Sequence, residues 1–397
     1  RSDETEAIAD LLWFPTGGGK TEAYLGLIAF TLFFRRLKFG DFGAGVAALM
    51  RYTLRLLTIQ QFQRATAMIC ACDALRLGDC LPADLDPELG DKPFSIGLWV
   101  GSDATPNNFS DAVVALNSES SRSRPDQLLN CPRHGKARLI WKQERLHNEI
   151  RAYCPEEDCL WSENSDGLPV WTVDDNIYEH RPSLLIGTVD KFAQVARRPE
   201  TSGLFSSDET YRQPDLIIQD ELHLISGPLG TLTGLYEIAF DHLCTRHRIR
   251  PKVIASTATI RQAASQIKGL FDRETCLFPP PLLDAANSGF AVEDLDDPGR
   301  LYIGVTTAGR SAKFVLQAVA ASLLQSAGSD VIPEPEKDDF WTLVTYFNSL
   351  RELGGALVLL QDDVLRSLDV YAARRGETPR RIDDPRELTS RVSSSQI

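Results

Sequence analysis

The chain has 397 residues, of which 43% are hydrophobic and 24% are charged, so it can bury more than one core and predicts two or three domains. Its formal net charge of −13 at pH 7 gives no overall attraction to a polyanion. The longest apolar run, residues 23–34, suits a buried helix better than a membrane span. Eight cysteines are too few for a disulfide scaffold and favour a reducing compartment. The opening residues show no starting Met and no secretory leader, so we expect a piece of a longer intracellular polypeptide.

The first motif is a glycine loop near the start of the chain. Residues 11–14 predict a buried strand, and the apolar run after the loop predicts a helix. Successive glycines let backbone N–H groups surround an anion, and the helix adds its positive end. Lys20 is expected to reach the β- and γ-phosphates of ATP, and Thr21 to hold Mg²⁺. The predicted nucleotide-binding residues are Thr16, Gly17, Gly18, Gly19, Lys20, Thr21, Glu22 and, from the next motif, Asp220.

An ordinary glycine turn before Lys20 is the alternative, because Phe14 replaces the first glycine of the full phosphate-loop pattern. A phosphate loop is favoured over a glycine turn by the acidic pair Asp220 and Glu221. This pair follows a second predicted buried strand at residues 216–218, where the ligands of parallel sheets lie. Asp220 is expected to hold Mg²⁺, and Glu221 to orient or deprotonate the attacking water. His223 is expected to link the nucleotide state to the rest of the protein. Read alone, such a pair is more often a helix cap.

Further segments follow the motif order of the superfamily 2 helicases. Residues 15–22 stand in the place of motif I, and the others are residues 52–61 (motif Ia), 186–192 (motif Ib), 220–223 (motif II, the DExH box) and 256–259 (motif III). The chain therefore resembles that superfamily. The resemblance implies nucleic-acid contacts for Arg55, Gln60, Thr188 and Lys191, and coupling of hydrolysis to these contacts for Ser256, Thr257, Ala258 and Thr259. Taken singly, such residues near strand ends are often caps.

More narrowly, residues 13–26, 219–230 and 346–354 resemble the large helicase of DISARM-type bacterial anti-phage systems. That resemblance implies a prokaryotic cytoplasm, a partner subunit and foreign DNA as the substrate.

A second domain is predicted after a linker that is rich in proline and acidic residues, from 278 to 298. The predicted elements are strands at 301–305 and 341–347, a helix at 312–326 and a helix start at 348–354 that resembles motif IV. Motifs V and VI and a Q-motif are not found, so the arginine fingers of the superfamily are expected outside this chain.

The segment between motifs Ia and Ib predicts a small zinc ribbon. Cys131 and His134 form one pair and Cys154 and Cys159 another, with 19 residues between the pairs. Two short turns can present four ligands to one tetrahedral structural Zn²⁺. The alternative is three ordinary cysteines and a surface histidine. Residues 122–151 carry eight basic and three acidic side chains, which fits either a phosphate-binding face or a merely solvated one.

Together these observations predict two RecA-like α/β domains with parallel sheets and ATP between them. The expected divisions are 1–100 and 181–283 for the first domain, 101–180 for a zinc-ribbon insertion, 284–300 for the linker and 301–397 for an incomplete second domain. The predicted catalytic residues are Lys20, Asp220, Glu221 and His223. The leading function is ATP-dependent translocation along DNA, with RNA as the open alternative polymer. The rival function is a nucleotide-gated DNA-binding scaffold that hydrolyses little ATP.

Overall fold

The computed structural model describes residues 2–3, 7–13, 19–79, 88–118, 121, 123–245, 248–257, 262–280, 282–283, 287, 294, 296, 299, 301–330 and 332–389, without the side chains of residues 2, 3, 55, 56 and 196. It has two compact units, Arg1–Glu293 and Asp294–Val392. Among the described residues, no helix has both the length and the apolar character needed to cross a membrane.

Every strand of the described chain lies in the first unit. In chain order they are β1 Ser2–Asp3, β2 Ile8–Leu12, β3 Ala48–Tyr52, β4 Ile96–Trp99, β5 Ile140–Glu144, β6 Glu149–Tyr153, β7 Val170–Trp171, β8 Leu184–Thr188, β9 Leu216–Gln219, β10 Ile249–Arg250, β11 Lys252–Ser256 and β12 Glu274–Phe278.

Eight of these strands form one parallel sheet in the order β12-β2-β11-β9-β3-β8-β4-β7. The central strands β3, β8 and β9 are buried along their whole length and nearly continuously apolar, as expected for a parallel sheet covered on both faces. One hydrophobic core lies on each face of the sheet. Two antiparallel pairs, β1 with β10 and β5 with β6, stand outside the sheet.

Helices cover the sheet and make up the second unit. In chain order they are α1 Lys20–Phe39, α2 Arg55–Arg76, α3 Phe109–Leu116, α4 Asp174–His180, α5 Val189–Phe192, α6 Gly227–Cys244, α7 Ala263–Phe271, α8 Ala312–Ala327, α9 Glu334–Trp341, α10 Leu350–Leu359 and α11 Leu365–Arg375. Short 3-10 segments occur at Gly40–Gly43, Val195–Arg197, Pro199–Phe205 and Leu222–Leu224, and a π-helical turn, Leu360–Val364, joins α10 to α11.

The parallel α/β fold predicted for the first unit is confirmed. The strands expected before the acidic pair and before motif III are β9 and β11, and the helix after the glycine loop is α1. The strand before the loop, β2, begins and ends earlier than predicted. The proposed division into a first domain, an insertion and a linker stays a prediction.

In the second unit, the predicted helix at 312–326 is confirmed as α8, and the predicted helix start as α10, whose N-cap Ser349 accepts a hydrogen bond from the Glu352 amide. The two predicted strands are wrong. Residues 301–305 and 342–347 have no strand pairing, and residue 341 ends α9. Leu301, Tyr302 and Tyr346 are more than four-fifths exposed. Apolar runs of this length favour a strand only when a neighbouring strand supplies hydrogen bonds, and none does so in the described residues.

Candidate nucleotide-binding and metal sites

The acidic pair of the DExH box directly follows β9, at the carboxyl edge of the parallel sheet. Asp220 is 7% exposed, and its backbone N–H donates to the Arg51 carbonyl at the end of β3 over 3.2 Å. Its Oδ1 accepts hydrogen bonds from the Ser256 hydroxyl and, over 2.9 Å, from the Glu221 N–H. A buried carboxylate needs such donors, because an unpaired charge is costly away from water. Motifs II and III therefore meet at one carboxyl group.

The glycine-loop side reaches the same carboxyl group through a residue that the sequence analysis did not single out. Tyr24 lies on α1 and donates its hydroxyl hydrogen to Oδ2 of Asp220 over 2.7 Å. The Tyr24 oxygen also lies 3.1 Å from Oγ1 of Thr21. Thr21 and Asp220, the two predicted Mg²⁺ ligands, are thus joined by one phenol. Tyr24 was missed because an aromatic residue in an apolar helix is normally taken for a residue of the hydrophobic core.

The described part of the glycine loop begins at Gly19. Gly19 caps α1 with a φ of 81°, in the left-handed region that glycine adopts without strain. Lys20 and Thr21 open the helix at its positive end, and Glu22 pairs with Arg64 of α2. Thr16, Gly17 and Gly18 lie outside the described residues.

Glu221 and His223 form a polar link between motifs II and III. Glu221 has a φ of 49°, which is strained for a residue with a Cβ. Its Oε2 lies 3.3 Å from Nδ1 of His223, and the same nitrogen lies 3.5 Å from Oγ1 of Thr257. Ala258 and Thr259, the rest of motif III, lie outside the described residues. The structure therefore brings together Asp220, Glu221, His223, Ser256 and Thr257.

A buried ion pair behind this edge also went unnoticed in the sequence. Arg51 of β3 and Glu237 of α6 form an ion pair on the face of the sheet that α6 and α7 cover. The Arg51 guanidinium lies within 6.0 Å of the ring centres of Phe192, Phe240 and Phe271. Burial raises the pKa of Glu237, and Arg51 opposes that shift. The pair ties the strand whose carbonyl holds Asp220 to the helix that follows the DExH box.

The four residues assigned to nucleic acid lie in different surroundings. Gln60 is exposed on α2, whereas the side chain of Arg55 lies outside the description. Thr188 is buried at the end of β8. The Lys191 side chain is 1% exposed, and its ammonium bonds to Asp174 and Asn107, over 2.5 and 2.9 Å, so its charge is already paired inside the protein. A nucleic-acid role for these residues stays a prediction, and for Lys191 the observed pairing speaks against direct phosphate contact in this conformation.

The predicted zinc ligands converge. One ligand atom from each of Cys131, His134, Cys154 and Cys159 lies within 4.8 Å of the others. Two turns present them: the Gly135 amide bonds to the Cys131 carbonyl over 2.8 Å, and the Cys159 amide to the Glu156 carbonyl over 3.1 Å. Burial raises the pKa of the Cys154 thiol to about 12. A thiolate there at neutral pH therefore requires a nearby cation, and three thiols with one imidazole fit tetrahedral Zn²⁺.

The Cys/His cluster belongs to the core under α1 and α2. Cys131, Cys154 and Cys159 pack in the same hydrophobic cluster as Phe62 and Ile69 of α2. Cys70 and Cys72 of α2 are buried core thiols outside the cluster. The cluster is therefore packed into the first unit and is not an appendage.

The basic segment around the cluster is less positive than its sequence suggests. Four of its eight basic side chains pair with carboxylates, and these are Arg124, Arg133, Lys142 and Arg151. Lys136, Arg138 and Arg145 are exposed and form no ion pair within the described chain. Arg122 lies outside it.

No protein-family model matches the chain. An alignment over 451 positions shows 39% identity to the DISARM protein DrmA of Bacillus paralicheniformis and covers 98% of this chain. The chain is related to DrmA. The resemblance to DISARM-type helicases expected from the sequence is thereby confirmed. The chain spans 39% of the length of the Bacillus protein.

Three solved structures that match the chain share little sequence identity with it. The DUF1998 helicase MrfA matches with 11% identity and a TM-score of 0.46, over 94% of this chain and 37% of MrfA. MrfA bound to DNA matches with 13% identity and a TM-score of 0.41, over 81% and 31%. A DEAD-box helicase bound to ssRNA and UDP-BeF matches with 12% identity and a TM-score of 0.39, over 69% and 36%.

Proposed function

We propose that the chain is the ATP-hydrolysing motor of a DNA helicase or translocase that acts in bacterial anti-phage defence with a partner subunit. The observation that carries the proposal is the convergence on the Asp220 carboxyl group of motif II, motif III and Tyr24, which follows motif I on α1. Tyr24, beside Thr21, contacts one oxygen, and Ser256 and the Glu221 amide contact the other. The relationship to DrmA supports the defence role.

Mg²⁺ fits this edge, because hydroxyl and carboxylate oxygens are its preferred protein ligands. Thr21 and Asp220 would hold it, and when bound it would neutralise charge on the β- and γ-phosphates. Lys20 would bind the phosphates at the start of α1. Glu221 would accept a proton from the attacking water. His223 would couple a change at Glu221 to Thr257, because its Nδ1 lies 3.3 Å from the Glu221 carboxylate and 3.5 Å from the Thr257 hydroxyl.

We further propose that Cys131, His134, Cys154 and Cys159 bind one structural Zn²⁺. Four protein ligands leave no open position for water, so the ion would support the fold and take no part in hydrolysis. The exposed Lys136 and Arg138 flank these ligands and would add contacts to phosphates.

The test is the ATPase rate of the full-length protein with and without single-stranded DNA, double-stranded DNA and RNA, in two salt concentrations. A DNA-stimulated rate that falls as salt rises supports a motor, because phosphate contacts release counterions. Tight nucleotide and DNA binding without turnover would instead support the rival function, a nucleotide-gated scaffold. The Glu221→Gln variant serves as the control for contaminating ATPases.

A further inference from the structure

Tyr24 stands between the two side chains that the proposed function assigns to Mg²⁺. It lies one helical turn after Thr21 on α1 and is 1% exposed. A tyrosine phenol ordinarily loses its proton only at pH ~10, so its hydroxyl carries a hydrogen at neutral pH. A phenol can accept one hydrogen bond while it donates another. Its hydroxyl can therefore accept from Thr21 and donate to Asp220 at the same time.

The two oxygens of Asp220 are held by different partners. The Ser256 hydroxyl and the Glu221 amide contact Oδ1, whereas the Tyr24 hydroxyl contacts Oδ2 over 2.7 Å. Within the described residues, Tyr24 provides the hydrogen bond recorded on that second oxygen. Without the phenol hydroxyl, Oδ1 would still be held, but Oδ2 would lose the hydrogen bond that restrains it on the side of Thr21. Each oxygen can accept more than one bond, so the contact with Tyr24 leaves Oδ2 able to face a cation.

We propose that Tyr24 is a positioning residue for the Mg²⁺ site, which fixes the Asp220 carboxylate relative to the Thr21 hydroxyl. The inference rests on the proposed function, because it concerns the same nucleotide site. Hydrogen bonds to a metal-binding carboxylate orient it before the ion arrives, and losing one such bond lowers metal affinity by roughly 10- to 100-fold. The contribution of Tyr24 is thus to Mg²⁺ binding and not to phosphate binding.

Tyr24→Phe tests the inference, because it removes the hydroxyl and keeps the ring. The probe is N-methylanthraniloyl-ADP, whose affinity is measured by fluorescence in EDTA and then across a Mg²⁺ titration. We expect the Mg²⁺ concentration at half-saturation to rise by about 10-fold or more, while the affinity in EDTA changes little. The ratio of the two affinities is taken within one preparation, so partial unfolding does not distort it.

Tyr178→Phe is the matched control. Tyr178 is a half-buried tyrosine whose hydroxyl donates to an aspartate, Asp174, over 3.3 Å. It lies on α4, the helix after β7, and β7 is an edge strand four positions from β9 in the sheet. This variant should keep the wild-type Mg²⁺ dependence. A Mg²⁺ dependence in Tyr24→Phe that is unchanged, or tighter than that of wild type, overturns the inference alone. Wild-type protein that binds no nucleotide overturns the proposed function instead.

Discussion

The nucleotide edge and the Cys/His cluster both belong to the first unit, yet they are assembled in opposite ways. The groups around Asp220 come from the ends of β9 and β11 and from the start of α1, so distant parts of the chain must meet. The four cluster ligands come from two turns within residues 131–159, and local hydrogen bonds already present them. The nucleotide edge depends on the whole sheet, whereas the cluster depends on local turns and on the ion that would join them. Changes at the edge should therefore affect chemistry at constant fold, and changes at the cluster should affect the fold.

Glu221→Gln should give the largest effect. The variant keeps the size of the side chain and removes its basicity, so turnover should fall by roughly 10²- to 10⁴-fold while ATP still binds. Steady-state ATPase rates and equilibrium binding of an ATP analogue measure the two properties. A variant with wild-type turnover would remove Glu221 from the chemistry.

Lys20→Ala should weaken nucleotide binding itself, since it deletes a charged contact to phosphate. A hydrogen bond to a charged group contributes about 1.5–3 kcal/mol, which corresponds to roughly a 10- to 100-fold loss of affinity. The melting temperature should change little, because Lys20 is partly exposed at the start of α1. Equal affinity for ATP in the variant and the wild type would leave the lysine outside the phosphate site.

Cys154→Ser and Cys159→Ser should break the cluster and destabilise the core around α2. Wild-type protein should contain about one equivalent of zinc by elemental analysis, and each variant much less. Loss of a structural metal is among the changes that cost more than ~2 kcal/mol, so the melting temperature should fall by at least about 4–8 °C. Cys72→Ala, a buried thiol outside the cluster, is the control that should keep its zinc. Zinc well below half an equivalent in wild type would favour ordinary core cysteines.

Replacing Lys136 and Arg138 together by Ala should give the smallest effect. Each lost phosphate contact lowers the slope of log affinity against log salt by about 1, so DNA affinity should fall by several-fold at low salt, with zinc content unchanged. Lys268→Ala, which removes a paired lysine on α7, is the control. An unchanged salt slope in the double variant would leave the cluster with a structural role alone.

The sequence identified the candidate ligands of these two sites better than the residues that hold those ligands in place. The spacing of Cys131, His134, Cys154 and Cys159 sufficed for the cluster, because short turns fix the neighbours of a ligand pair. The acidic pair after β9 was found because the carboxyl ends of parallel strands meet at one edge. Tyr24 and the Arg51–Glu237 pair carried no such signal, since their partners lie far away in sequence.

The two wrong strands and the unforeseen pairing of Lys191 have the same origin. Lys191 follows a strand, as a phosphate-binding residue should, but the tertiary fold pairs it with Asp174, and its nucleic-acid role stays a prediction. The apolar runs at 301–305 and 342–347 resemble strands, yet a strand depends on a neighbour that a local pattern cannot supply. Near the cluster, Arg133 and Lys142 pair with Asp79 and Glu163, two carboxylates that the fold brings close from outside the basic segment. Local sequence patterns thus indicate which residues are candidates for a site, but they do not indicate which distant residues those candidates contact.

The order of strands in the sheet also governs how the protein is made. β2, which leads into the glycine loop, pairs with β11 and β12, and these end at Ser256 and Phe278. A chain that emerges from the ribosome at about 5–20 residues per second must therefore keep β2 unpaired for many seconds. The cluster ligands emerge well before β11 and can fold against α2 in that interval. The nucleotide loop is therefore synthesised long before β2 gains its neighbours in the sheet.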